Sequence, residues 1–163
     1  MGYQLSETEL DRLGTAFHEV GHAVAAVVLG GRVHRVIVGE QAHTEHDPLP
    51  GLDAGITYAG PWAEARWELG RPPGPADMRR ALARNSSDDR TLCAAGGPHQ
   101  GVHIVPLLER CWPSVKALAK GLYFTGTASH AEVCSALGLS PGDDGGPSSV
   151  ALALIRSGLR AAV

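Results

Sequence analysis

The residues with the clearest chemical capacity are His18-Glu19-Val20-Gly21-His22. On a helix, the four-residue step puts both imidazoles on one face, where they can chelate a single ion. Glu19 then sits beside that ion without binding it. The arrangement suits hydrolysis, because zinc lowers the pKa of its bound water to about 7. A neighbouring carboxylate can take that water's proton during attack on a carbonyl and pass it to the leaving group. The bland alternative makes the same residues the polar face of an amphipathic helix, with Glu19 in a surface pair. It leaves the spacing as coincidence.

A helix must position these side chains, and the sequence announces one. Ser6 followed by Glu9 is a capping-box pattern. Leu10, Leu13, Phe17, Val20 and Val24 recur at three- and four-residue steps until Gly30-Gly31, which predicts a helix over about 7–29. The β-branched run Val33 to Val38 reads as a strand, with His34 and Arg35 alternating along an edge that an extended peptide could pair with. Residues 39–55 read as a loop. Helices are expected at 56–69, with Pro61 tolerated in its first turns, and at 75–84, 88–95, 106–124 and 130–138. The fold class is therefore α+β and mainly helical. Residues 1–140 form one domain, 141–147 a Gly/Pro-rich linker, and 148–163 a helical tail that could dock on its own domain or on another subunit. Trp62, Trp67 and Trp112 fall among apolar helix positions and read as core.

Composition narrows the function classes. A chain of 163 residues with net charge -3 and 44% hydrophobic residues can bury a core, and it shows no basic excess suited to nucleic acid. Its longest nearby apolar run, Ala23 to Leu29, is far short of a membrane span, and the N-terminal residues lack the pattern of a secretory signal. Cys93, Cys111 and Cys134, odd in number and widely spaced, read as reduced core thiols in the cytoplasm. His43, His46, His99 and His103 read as exposed loop residues rather than as further metal sites.

Several of these stretches together resemble the peptidase domain of the FtsH-type membrane AAA+ zinc proteases, over about Thr15 to Leu137. The matching parts are F-H-E-V-G-H-A-V-A-A, a G-x-V-x-x-V-x-V strand, Ala59-Gly60-Pro61-Trp62-Ala63-Glu64, Asn85-Ser-Ser-Asp-Asp89 and Trp112-x-x-Val-x-x-Leu-Ala119. The resemblance implies a Zn²⁺-dependent endopeptidase acting on peptide or unfolded protein, with Asp88 as the third zinc ligand after His18 and His22. Asp89 is the near alternative to Asp88 and Glu64 the chief competitor, while an N-cap is the bland role for Asp88. The sequence departs from the family in lacking a G-x-x-x-x-G-K-[ST] motif and a transmembrane stretch, and in having Gly60-Pro61 where the family has a glycine pair. ATP-driven unfolding and membrane attachment are therefore not carried over. A homo-oligomer or a partner ATPase that delivers substrate stays open.

Two other readings compete. A regulatory zinc peptidase that cleaves a repressor-like protein would be favoured by a third ligand at Glu64. A non-catalytic binding module stabilised by zinc would have no use for Glu19, and a purely structural site normally fills all four positions with protein ligands.

Overall fold

The computed structural model of the protein describes residues 4–140 and 149–159. The expected linker at 141–147 lies outside them. Helix α1 (Glu7–Val28) starts at the expected capping box: the Glu9 N–H donates to the Ser6 hydroxyl at 3.3 Å, and the Ser6 N–H donates to the Glu9 carboxylate at 2.8 Å. Its first half buries one side, but every residue from Ala23 to Val28 is fully buried. The second half of α1 is thus a rod through the core rather than an amphipathic surface helix.

Helix α2 (Asp53–Leu69) lies along α1 and begins three residues earlier than the expected 56. Pro61 therefore sits in the helix interior, not in the first turns, and its missing N–H is borne by a buried segment. The two helices approach closely at Gly21, where a Cβ would collide with the Ala59 carbonyl and stand 2.8 Å from the Ala63 side chain. Phe17 stacks between Trp67 and Trp112, with ring centroids 5.2 Å and 5.6 Å away. Trp62 and Trp112 are buried and Trp67 partly so, which places all three in the core as expected.

Strands β1 (Val33–Ile37), β2 (His43–His46) and β3 (Thr127–Ala128) form an antiparallel sheet in the order β2-β1-β3. This corrects two expectations: β1 is the central strand, not an edge, and the supposed loop 39–55 contains the edge strand β2. Strand β2 escapes the hydrophobic pattern because its sequence, His43-Thr44-Glu45-His46, is polar throughout and only half-buried at alternate residues.

The remaining helices are α3 (Pro75–Arg84), α4 (Ser86–Ala94), α5 (Val105–Arg110), α6 (Trp112–Thr125), α7 (His130–Ala136) and α8 (Ser149–Ser157), with 3₁₀ turns at Pro98–Gln100 and Val102–Ile104. The single helix expected over 106–124 is two, broken at Cys111, because Pro113 at the start of α6 has no N–H to continue the ladder of α5. Cys111 and Cys134 are buried, as expected, but Cys93 is exposed on α4. Burial pushes the Cys111 thiol up to about 11.

Helix α8 docks on its own domain. Leu152 and Ile155 are buried, the Arg156 Nε donates to the Val28 carbonyl at 2.6 Å, and Arg110 Nη1 donates to the Arg156 carbonyl at 2.9 Å. Among the described residues, no helix is long and apolar enough to cross a membrane.

Candidate metal centre

Helix α1 presents His18, Glu19 and His22 toward a cleft of about 490 Å³ bounded by β2 on one side and by the junction of α3 and α4 on the other. Each imidazole is held by its outer nitrogen. The His22 Nδ1 donates to the Ile56 carbonyl at 2.8 Å, and the His18 Nδ1 donates to the Glu64 carboxylate at 3.2 Å. A carbonyl can only accept, which fixes the His22 tautomer and directs its Nε2 lone pair inward. The two Nε2 atoms face each other at 3.0 Å.

The backbone of α2 makes room for this. A Cβ on Gly60 would collide with the His22 ring, so glycine is required here for proximity rather than for an unusual backbone angle. Glu64, one turn further along, accepts from Asn85 Nδ2 at 3.0 Å as well as from His18. Because it meets His18 at Nδ1, it stands behind the ring rather than at the converging Nε2 atoms.

Asp88 comes from the third direction. Asn85 is the single residue between α3 and α4, and its side chain ties the corner by donating to Glu64 and, at 2.9 Å, to the Ala81 carbonyl. This corner turns the first turn of α4 into the cleft. Asp88 Oδ2 lies 3.1 Å from His18 Nε2, and Oδ1 lies 3.6 Å from His22 Nε2. The N-cap role considered for Asp88 is corrected: α4 begins at Ser86 rather than 88, and Asn85 holds the cap position. Asp89 stands outside the group, with the Cys93 thiol 4.0 Å from its Oδ1.

One ligand atom each from His18, His22 and Asp88 lies within 4.8 Å of the others, so these residues could hold a metal ion. The electrostatics express the same demand for a cation. Burial pulls the His18 pKa down, but hydrogen bonds to Asp88 and Glu64 and the surrounding carboxylates outweigh it and raise it to about 9. Burial and the neighbouring charge of His18 lower the pKa of His22. Glu64, which burial alone would push up, is held below the ordinary carboxylate range by His18 and Asn85. The positive charge this favours on the His18 ring is shared between Asp88 at Nε2 and Glu64 at Nδ1.

Glu19 is 6% exposed and stands outside the His18, His22 and Asp88 cluster, although its charge favours the protonated form of both imidazoles. Its Oε2 lies 2.7 Å from the Thr44 hydroxyl, which also reaches the Glu19 carbonyl at 2.8 Å. His43 lines the same cleft, whereas His99 and His103 lie on the 3₁₀ turns. Thr44, Asn85 and Gly60 are the site residues that sequence reasoning does not single out. Gly60 and Asn85 stand inside stretches noted for other reasons, and Thr44 carries no signal because strand β2 itself is not visible. No family model matches the chain, and no curated protein matches it.

Proposed function

We propose that the protein is a zinc-dependent endopeptidase in which His18, His22 and Asp88 hold Zn²⁺ and Glu19 is the general base. The observation that carries this reading is the convergence of two inward Nε2 atoms and a carboxylate within 4.8 Å, beside a buried glutamate that takes no part in the group. Two imidazoles and one carboxylate form a donor set that suits zinc, and three protein donors leave the fourth position open, as catalytic zinc requires. When bound, the ion supplies Lewis acidity that polarises a carbonyl and makes water ionise near neutral pH.

The chain's own residues do the rest. The Ile56 carbonyl and Glu64 fix the two rings through their Nδ1–H groups, and Asn85 fixes Glu64. Glu19 accepts the proton of the attacking water as the new C–O bond forms. When the C–N bond breaks, the same carboxyl gives that proton to the departing amine nitrogen. No nucleotide enters this cycle.

That the bond is a peptide bond rests on the resemblance to the FtsH-type peptidase domain and on strand β2. This edge strand borders the cleft through His43 and Thr44, no further strand pairs with its outer side among the described residues, and an extended peptide could add there by main-chain hydrogen bonds. The test compares the parent with Glu19→Gln on an unfolded protein such as casein, with bound zinc quantified in both. Equal zinc content with cleavage by the parent alone, abolished by a chelator, is the expected result. Cleavage by both at equal rates would remove Glu19 from the reaction, and cleavage by neither would remove the peptidase reading.

A further inference from the structure

Taking the zinc-peptidase reading as its basis, we propose that Thr44 is a positioning residue for Glu19, holding the carboxyl in place through both halves of the proton transfer. Thr44 lies on edge strand β2, opposite Val36 of β1, and its hydroxyl oxygen is 2.7 Å from Glu19 Oε2 and 2.8 Å from the Glu19 carbonyl oxygen. A hydroxyl carries one proton and can also accept, so it cannot donate fully to both oxygens at once. Its shorter contact is with the carboxyl oxygen.

While Glu19 is a carboxylate, the Thr44 O–H points at Oε2. Once the carboxyl takes the proton of the attacking water on its other oxygen, Oε1, that proton stays available to the departing amine while the Thr44 O–H still holds Oε2. After that proton leaves on the amine nitrogen, the contact between Thr44 and Oε2 is unchanged. Thr44 gains and loses nothing over the cycle, and the glutamate side chain never has to find a new partner. Two features make the threonine stiff enough for this. It is β-branched, which limits its side-chain rotamers, and its strand is fixed to β1 by the pairs from His43↔Ile37 to His46↔Val33.

A merely structural hydroxyl would tie β2 to α1 through the Glu19 carbonyl alone, and its loss would show in folding, zinc content or KM. A positioning role shows in kcat. Three zinc-loaded proteins separate the two: the parent, Thr44→Val, which keeps the shape without the hydroxyl, and Thr44→Ser, which restores it. Thr44→Val is expected to lower kcat about ten- to a hundredfold, the effect of losing a hydrogen bond to a charged group. KM and zinc per chain should stay within about twofold, and Thr44→Ser should recover most of the loss.

A second readout needs no turnover. Acetohydroxamic acid gives up a proton when it chelates zinc, so its affinity reports on the proton-accepting carboxyl directly. That affinity should fall about tenfold or more in Thr44→Val and recover in Thr44→Ser. Unchanged kcat and hydroxamate affinity in Thr44→Val, equal losses in both variants, or a loss confined to KM would overturn the proposal. If the parent binds zinc but cleaves none of the peptides tried, the peptidase reading fails and the hydroxamate series still decides the role of Thr44. If the parent binds no zinc, both readings fall together.

Discussion

His18 is the residue on which the metal-free and metal-bound states compete most directly. With its Nδ1–H on Glu64 and its Nε2 beside Asp88, its pKa is raised from 6.5 to about 9, so a proton occupies the metal-free site at neutral pH. Two consequences follow from the sign of that shift. The contribution of protonated His18 to stability in the metal-free chain is fully present below pH 6.5 and is lost as pH rises through about 9. Zinc affinity runs the other way and should rise by up to about tenfold per pH unit between those limits, with release of about one proton. Calorimetric titration with zinc in buffers of different ionisation enthalpy measures that proton, and a pH-independent affinity with no release would contradict the account. The motif His18-Glu19-x-x-His22 is legible in the sequence because its spacing alone determines that the rings share a face. Asp88 is legible only through resemblance, since nothing local to Ser86-Ser87-Asp88 says that Asn85 turns the chain toward α1.

Among the elements, the pairing of α1 with α2 sets the site's dimensions. Gly60 is the point where a helix backbone passes directly over the His22 ring. Gly60→Ala is therefore expected to displace that ring and weaken zinc binding at least tenfold while leaving helix content close to the parent's. Zinc titration followed by circular dichroism checks this, and parental affinity would show that the ring has room to move. The helices α1 and α3 are readable from sequence because a capping box, an N-terminal proline and periodic apolar residues agree with one another. The break between α5 and α6 was missed, although Pro113 marks it. Strand β2 was not readable, because an edge strand with no fully buried residue leaves no alternation of hydrophobic and polar positions to detect. Thr44 was missed with it.

At the level of the whole molecule, α8 closes the fold over the buried end of α1, with Ile155 fully buried and Arg156 capping the carbonyl of Val28. The sequence showed an apolar face on this tail but held nothing about which surface it covers, because that surface is assembled from α1 and α5. Ile155→Ala is expected to destabilise the chain by about 2–4 kcal/mol, the cost of removing a buried isoleucine side chain beyond its Cβ. Zinc stoichiometry should be unchanged. Urea unfolding of the two proteins measures it, and a difference under about 0.5 kcal/mol would mean that the tail leaves the domain in solution.

The claim on which all three scales depend is that His18, His22 and Asp88 together hold one zinc ion. The most direct test is zinc per chain after dialysis against a zinc buffer near the parent's dissociation constant, measured on the parent and on His18→Ala, His22→Ala and Asp88→Ala. The account predicts about half a zinc per chain in the parent under that condition and about one at saturation, with affinity lost at least a hundredfold in either histidine variant and substantially reduced in Asp88→Ala. A parent that takes up no zinc, or three variants that bind it as the parent does, would contradict it.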